Sequence, residues 1–314
     1  MRMGLHPEMP AIGALMLGFL AVGLFSPDEA TLYLAALIMI WSIFALGFDL
    51  SFGLTGMLSF GHAAFFGIGA YAASWAMMSG KSSFAAALVV AAFAGGGAAL
   101  LFGLVSRRVS GLYFSLLTLM LSELIAIVMT TRLRGLSGGV DGLAGVPRPE
   151  MADIDFINTA NFYWLIFAGF CITLVFCGVL KHSPLGQALQ AVRQNPVRAE
   201  QIGFDIAALR LTALGLSGGI SGLAGAFLAS LMMYVSPQLL NWKVSGDVVI
   251  MTLLGGSGTL AGPVIGVTLV ELLREGLSAL TPYWYGVLGV IFILCTIFLP
   301  QGIAGLGARL WRRR

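Results

Sequence analysis

The sequence predicts an all-α, polytopic integral membrane protein with about 8–10 transmembrane helices. Charged residues make up only 10% of the 314 residues, whereas a soluble domain carries about 25%. The mean hydropathy is +0.94, and apolar stretches long enough to cross a bilayer recur along the chain. Because each crossing uses about 20 apolar residues, we expect a single transmembrane domain over residues 1–314.

Nine apolar stretches are the candidate membrane segments. The first of them follows Arg2 and imitates a signal peptide, but no small-x-small cleavage site comes after it. We therefore expect it to remain as the first helix. The stretches lie near residues 11–25, 31–52, 62–79, 84–105, 111–131, 162–180, 210–233, 246–273 and 283–300.

The stretch near residues 246–273 is longer than one crossing needs and contains GGSGTLAGP at residues 255–263. A helix does not easily continue through this glycine and proline content, and irregular backbone at membrane depth lines cavities. The pattern predicts a broken or re-entrant pair of short helices. The motif lacks the Gly-Lys-Ser/Thr ending of a phosphate loop.

The orientation follows from basic clusters that lack balancing acids. These clusters are Arg107 with Arg108, residues 181–210, and the arginines at 309 and 312–314. The positive-inside rule places them in the cytoplasm. With a broken pair near residues 246–273, the number of crossings also returns the C-terminus to that side, so we expect both termini in the cytoplasm.

Several function classes are disfavoured by what the sequence lacks. No HExxH or GxGD motif is present, and no histidine follows the glycine-rich break as an intramembrane serine protease would require. The cysteines lie in apolar stretches, where a thiol behaves as a small hydrophobe. The basic residues fit membrane orientation better than nucleic-acid binding. We expect no catalytic residue, no metal site and no nucleic-acid partner.

A polar, cationic segment at residues 181–210 interrupts the apolar chain. Arg193, Arg198 and Glu200 would each cost several kcal/mol in hydrocarbon. This segment is therefore expected to protrude into the cytoplasm and meet a partner there.

Within that segment, residues 195–203 predict one short helix. Asn195 is the N-cap, Pro196 occupies the first turn and Gly203 ends the helix. Exposed apolar side chains at Val197 and Ile202 would suit docking into a groove of a partner. The alternative is a solvated loop that holds anionic membrane lipid.

Ionisable residues inside the apolar stretches are candidates for the transport pathway. They are Asp49, Glu123, Asp247 and Glu271, with His62 near a helix start. Intramembrane charges commonly mark substrate paths, although some of these side chains could instead cap helices or lie at the interfaces.

Five segments together resemble the LivM-type permease subunits of ABC importers for branched-chain amino acids. They are GLTGMLSFGHAAFFGIGAYAA at residues 53–73, GLYFSLLTLMLSE at 111–123, LSGGVDGLAGVP at 136–147, SPLGQALQAVRQNPVRAEQIGFD at 183–205 and GGSGTLAGPVIG at 255–266. The resemblance covers nearly the whole chain. ABC-type urea permeases share much of the first and last of these segments.

The resemblance implies a set of partners in a bacterial plasma (inner) membrane. They are a related second permease (LivH-like), two ATPase subunits (LivG/LivF-like), an extracytoplasmic amino-acid-binding protein and membrane lipid. ATP would be bound by the ATPases, so this chain itself would hold no cofactor.

Two groups of site residues are expected, the first from the resemblance and the second from the intramembrane ionisable residues and glycine-rich segments. The family's ATPase-coupling loop maps onto Arg193, Asn195, Pro196, Arg198, Ala199, Glu200 and Gly203. Many ABC importers carry Glu-Ala-Ala-x-x-x-Gly in this loop, from which the present residues diverge. The expected substrate pathway contains Gly53, Ser59, His62, Glu123, Asp247, Gly255, Gly256 and Ser257.

The sequence leaves two other functions open. One is an ABC permease of the same fold for urea or short amides. The other is a secondary transporter driven by an ion gradient, which the broken segment would also suit, although no carboxylate pair typical of such carriers is evident.

Overall fold

A computed structural model of the chain describes residues 9–26, 28–80, 83–151, 154–280, 283–298 and 302–305. The helices are α1 (Met9–Phe25), α2 (Glu29–Thr55), α3 (His62–Met78), α4 (Phe84–Ser106), α5 (Leu112–Thr131), α6 (Arg134–Ser137), α7 (Thr159–His182), α8 (Pro184–Gln194), α9 (Pro196–Gln201), α10 (Ile206–Met232), α11 (Trp242–Gly255), α12 (Ala261–Leu280) and α13 (Trp284–Phe298). The predicted all-α fold is confirmed. The C-terminal arginine cluster lies outside the described residues.

The only extended structure in the described ranges is four two-residue strands. They are β1 (Leu143–Ala144), β2 (Glu150–Met151), β3 (Ile154–Asp155) and β4 (Tyr234–Val235). Strand β1 pairs antiparallel with β4, and β2 pairs antiparallel with β3. The first pair ties the loop after α5 to the end of α10, and we name this end of the bundle the β1–β4 end.

Among the described residues, five helices are long and apolar enough to cross a membrane, namely α2, α4, α5, α7 and α10. Helices α1 and α13 contain shorter apolar segments. The core is formed where α10 packs against α2, α3 and α4. Small residues let these backbones approach closely. At Gly69, for example, a Cβ atom would meet the backbone of Gly222.

The predicted break in the last third of the chain is present. Helix α11 ends at Gly255 and α12 begins at Ala261, so the irregular backbone is shorter than the predicted residues 255–263. Gly262 and Pro263 fit into the first turn of α12, where the missing proline N–H has no helical acceptor to lose. The two helices form an antiparallel hairpin: a Cβ at Gly255 would meet the oxygen of Gly262, and one at Gly266 would meet that of Met251.

The polar segment at residues 181–210 differs from the predicted protruding loop. Its first part forms α8, which the sequence interpretation did not anticipate, capped by Ser183 through its side-chain oxygen. Leu189 and Val192 are fully buried against the bundle. Only α9 and its flanks project outward, and we name this end of the bundle the α8–α9 end.

Candidate functional site

Helix α9 has the local structure that its sequence predicts. The Oδ1 atom of Asn195 accepts a hydrogen bond from the backbone N–H of Arg198 at 3.0 Å. Pro196 occupies the first turn, and Gly203 has a φ of +94°, the left-handed conformation that glycine tolerates after a helix. Ala199 is buried, which anchors one side of this short helix.

The opposite side of α9 is open to a partner. Arg198 and Glu200 are exposed, and the apolar side chains of Val197 and Ile202 are 62% and 73% exposed. An exposed apolar pair flanked by charges is the arrangement that a docking helix requires.

Arg193, at the end of α8, connects the α8–α9 segment to the transmembrane bundle. Its Nη1 atom donates a hydrogen bond to the carbonyl oxygen of Gly53. Gly53 lies in the last turn of α2, where carbonyl groups lack helical partners and a cation is favourable. A residue predicted for ATPase coupling and one predicted for the pathway are thus in direct contact.

The tip of the α11–α12 hairpin is held at the same place. Both carboxylate oxygens of Asp49 accept the N–H of Gly258, at 2.8 and 3.1 Å. A Cβ at Gly53 would collide with this carboxylate, so glycine is required one turn after Asp49. We call Asp49, Gly53, Arg193 and Gly258 the α2 junction.

The glycines of the break allow the turn that brings the hairpin tip to this junction. Gly256 and Gly258 have φ angles of +115° and +80°, which L side chains rarely adopt. Gly255 and Gly256 are buried and Ser257 is partly exposed. The structure therefore gives these predicted pathway residues a role in backbone geometry at the α8–α9 end.

A second irregular segment lies near the middle of the bundle, just before α11. The Oε1 atom of Glu123 accepts the backbone N–H of Trp242 at 3.0 Å, and Ser122 Oγ donates to the carbonyl of Leu240 at 2.8 Å. Glu123 is about 17 Å from the start of α5 at 1.5 Å per residue, roughly halfway along this 20-residue helix. Helix α11 therefore begins inside the bundle.

The same face of α5 also supports the loop between α2 and α3. Ser115 Oγ donates to the carbonyl of Leu58 at 2.6 Å, and Thr118 Oγ1 accepts the N–H of Phe60 at 3.2 Å. Buried polar backbone at membrane depth needs such partners. The sequence interpretation missed these hydroxyl groups, although Ser115, Thr118 and Ser122 recur with the spacing of one helix face.

His62 and Ser59 are both fully buried. The Nε2 atom of His62 lies 2.7 Å from Ser217 Oγ on α10, and Ser59 Oγ accepts the N–H of Gly61 at 3.1 Å. The rings of Phe48 and Phe65 pack edge-on against the imidazole. In this conformation His62 joins α2, α3 and α10 and is out of reach of a solute.

An ion triad connects α11 with α12. Arg274 bonds Asp247 through Nη2 at 3.3 Å and Glu271 through Nη1 at 3.1 Å. The Glu271 side chain is 2% exposed, whereas those of Arg274 and Asp247 are 25% and 34% exposed. Of the ionisable pathway candidates, Asp247 thus offers a partly open carboxylate. The contact of Arg274 with Asp247 was missed because the two residues lie 27 apart in the sequence.

A cavity of about 730 Å³ opens near the α8–α9 end. Its wall includes the apolar side chains of Leu58, Phe114 and Leu214, together with Arg107 and Glu200. Because Glu200 belongs to α9, a displacement of α9 changes the wall of this cavity. Within the described ranges, no group of three or more His, Cys, Asp or Glu side chains is placed to hold a metal ion.

Several curated proteins are similar to this chain, and all are named as permeases. The LivM permease protein of the high-affinity branched-chain amino acid transport system of Escherichia coli is 26% identical over 302 residues, covering 89% of this chain and 71% of the relative. The probable LivM permease of Methanocaldococcus jannaschii is 24% identical over 69% of this chain and 67% of its own. The L-arabinose ABC transporter permease AraH of Azospirillum brasilense is 28% identical over 46% and 44%.

No solved structure matches this chain. A family model described as "Branched-chain amino acid transport system / permease component" matches residues 30–296. A bundle of apolar helices with two irregular segments supported by polar side chains agrees with a membrane permease. The chain therefore belongs to the family of permease components of branched-chain amino acid transport systems.

Proposed function

We propose that this chain is the permease subunit of an ATP-driven importer that moves leucine, isoleucine and valine across the bacterial inner membrane. The observation that carries the coupling part of this proposal is the α2 junction. Through it, the α8–α9 segment is bonded to α2, and α2 is in turn bonded to the tip of the α11–α12 hairpin. Family membership supports the transport part.

The α8–α9 end faces the cytoplasm in this proposal. Helix α9 docks into a groove of an ATPase subunit, with Val197 and Ile202 as apolar contacts and Arg198 as a donor to partner carboxylates. The end that carries β1 and β4 then faces the extracytoplasmic binding protein. Both termini lie in the cytoplasm.

Closure of the two ATPases would displace α9, and α8 would transmit the displacement through Arg193. The displacement reaches α2 at Gly53 and the hairpin at Gly258. The hairpin is suited to move, because α11 is short and begins at a hydrogen-bonded break instead of continuing to the other membrane face. Alternating access in this proposal is a movement of the hairpin relative to α2 and α5.

A second permease would cover the surface of α5 that this chain leaves open. One face of α5 is buried and polar, and the opposite face exposes large apolar side chains. The most exposed are Leu112, Tyr113, Met120, Leu124 and Ile127. We place the partner permease against this face and membrane lipid against the outer helices α1 and α7.

The experiment that tests the proposal is purification of the tagged chain from its membrane in mild detergent, followed by reconstitution. We expect two ATPases and a second permease to co-purify and ATP to drive leucine uptake with the binding protein present. The double variant Arg198→Ala, Glu200→Ala should lower uptake by about tenfold or more, since two charged contacts are lost. Normal uptake by this variant would overturn the docking role of α9.

The matched control is Arg132→Ala, which removes an exposed charge at the end of α5 near the β1–β4 end. It should not change uptake. Competition between leucine and urea or short amides tests the substrate, because ABC permeases of related sequence carry different solutes. Full uptake by the isolated chain without ATP would establish an ion-coupled secondary transporter instead.

A further inference from the structure

One face of α11 carries charged side chains at a depth where lipid would not tolerate them. Lys243 is exposed and Asp247 is partly exposed. They lie one and five residues after Trp242, whose N–H is bound by Glu123 near the middle of α5. Residues four apart on a helix share a face, with Cβ atoms about 5–6 Å apart, so Lys243 and Asp247 form one charged surface.

The charges on this surface cancel in number, because Lys243 and Arg274 face Asp247 and Glu271, but they are not fully paired within the described part of the chain. Arg274 alone serves two carboxylates, those of Asp247 and Glu271. Only Oδ2 of Asp247 takes part, and Oδ1 makes no hydrogen bond to any described residue. The ammonium of Lys243 likewise has no ion pair with a described residue. Oδ1 of Asp247 and the Lys243 ammonium are therefore the two charged groups left to bind a solute.

Gly246 leaves space between the two charged groups. A Cβ at this position would have no atom within 4 Å, and Gly246 follows Lys243 by three residues, on the same helix face. Charged side chains facing open space at mid-depth belong in a water-filled path, because exposure to hydrocarbon is strongly unfavourable.

We propose that Lys243 and Asp247 form a binding site for a zwitterionic amino acid in the transport path. The α-ammonium group of the solute binds Oδ1 of Asp247, and its α-carboxylate binds the Lys243 ammonium. Arg274 already bonds Asp247 and Glu271, so Lys243 is the cation available to the carboxylate. Arg274 is a positioning residue that holds Asp247 through Oδ2.

This inference rests on the proposed function and narrows it. A site with one cation and one anion selects amino acids over urea, amides or sugars, which are uncharged. The aliphatic side chain of the bound amino acid lies over Gly246, where the absence of a protein side chain provides room. Isoleucine, leucine and valine carry the same two charged groups, so this site accepts all three.

The test uses the complete complex in proteoliposomes, with Cys171, Cys177 and Cys295 replaced by alanine and Gly246→Cys added. A charged methanethiosulfonate reagent reacts with thiolates, which form in water and not in lipid. We expect rapid modification of the Gly246→Cys variant and at least tenfold slower modification when leucine is present. Ile172→Cys, on the exposed apolar face of α7 (70% exposed), is the lipid-facing control and should react slowly.

Adding Lys243→Gln to the Gly246→Cys variant should raise the leucine concentration for half-protection by about tenfold, the loss expected for one charge-assisted contact. Glu275→Gln removes an exposed charge from α12 outside the proposed site and should leave that concentration unchanged. Lys243 is the cleaner probe, since its side chain supports no described contact whereas Asp247 also joins α11 to α12.

Modification of Gly246→Cys as slow as that of Ile172→Cys, or rapid modification that leucine does not slow, would overturn the inference. An unchanged half-protection concentration in Lys243→Gln would do the same. These results are separate from the proposed function, which ATP-driven leucine uptake by the unmodified complex decides. Normal uptake without leucine protection would refute this site alone.

Discussion

Helices α3, α4 and α10 meet through glycine, whereas α11 is joined to the bundle by side-chain packing, as at Val248 and Met251, and by hydrogen bonds at its two ends. In the first region a Cβ at Gly69 would meet Gly222, and one at Gly95 would meet Gly218. In the second, Glu123 binds the start of α11 and Asp49 binds the turn that follows it. Backbones in direct contact cannot slide without collision, but side-chain packing can rearrange and a few polar contacts can be exchanged. The glycine-packed helices are thus the fixed frame, and the α11–α12 hairpin is the part able to move.

The largest effect is expected from breaking the frame with Gly222→Val. A Cβ at this position would meet the carbonyl of Ala91 on α4, and Gly69 on α3 approaches the same backbone. The added side chain would force α3 and α4 away from α10, which should lower the free energy of unfolding by about 3 kcal/mol or more. We expect loss of the monodisperse peak in detergent gel filtration and of the thermal unfolding transition.

The control for that variant is Gly97→Val on α4, because a Cβ at Gly97 has no neighbour within 4 Å. Its yield and unfolding temperature should stay close to those of the unsubstituted chain. Equal behaviour of the two valine variants would show that the close helix contacts are not what makes the frame rigid.

A smaller effect is expected from releasing the hairpin tip with Asp49→Ala. The Gly258 N–H would lose its acceptor, at a cost of about 1–3 kcal/mol. Since the frame is untouched, the chain should remain folded while ATP-driven leucine uptake falls by about tenfold. Asp49→Asn keeps one oxygen acceptor, so its uptake should lie between that of Asp49→Ala and that of the unsubstituted complex. Uptake of Asp49→Ala equal to that of the unsubstituted complex would contradict a transmitting role for the α2 junction.

The smallest effect is expected at the start of α11. Glu123→Ala leaves the Trp242 N–H without its side-chain acceptor, whereas Glu123→Gln keeps an oxygen in place. We expect about 1 kcal/mol of destabilisation for alanine and less for glutamine, measured as a shift in thermal unfolding. Ile172→Ala, at an exposed position on α7, is the control. A larger shift of the unfolding temperature for glutamine than for alanine would rule out this hydrogen bond as the source of the destabilisation.

Local features of the fold could be read from the sequence because they depend on neighbouring residues. The break before α12 follows from its glycines, and the start of α9 follows from Asn195 and Pro196. The extent of α8 was missed, because the polar side chains of that segment hid the buried pair Leu189 and Val192. Long charged segments can bury one face and still be polar overall.

The site depends on contacts that no local pattern contains. Arg193 reaches Gly53 across 140 residues of chain, and Asp49 reaches Gly258 across 209. The sequence identifies such residues as charged positions in an apolar chain, but their partners become known only from the packing. His62 illustrates the same point, because its burial by Phe48 and Phe65 depends on how α2 and α3 meet.

The short length of α11 also has a consequence for how the protein is made. With 14 residues, α11 is about 21 Å long and shorter than the hydrocarbon core of roughly 30 Å, so it is a poor insertion signal by itself. Its first N–H depends on Glu123, which is synthesised 119 residues earlier. The ribosome therefore delivers the carboxylate acceptor well before the segment that requires it, and we expect α11 to enter the membrane after the bundle around α5 has assembled.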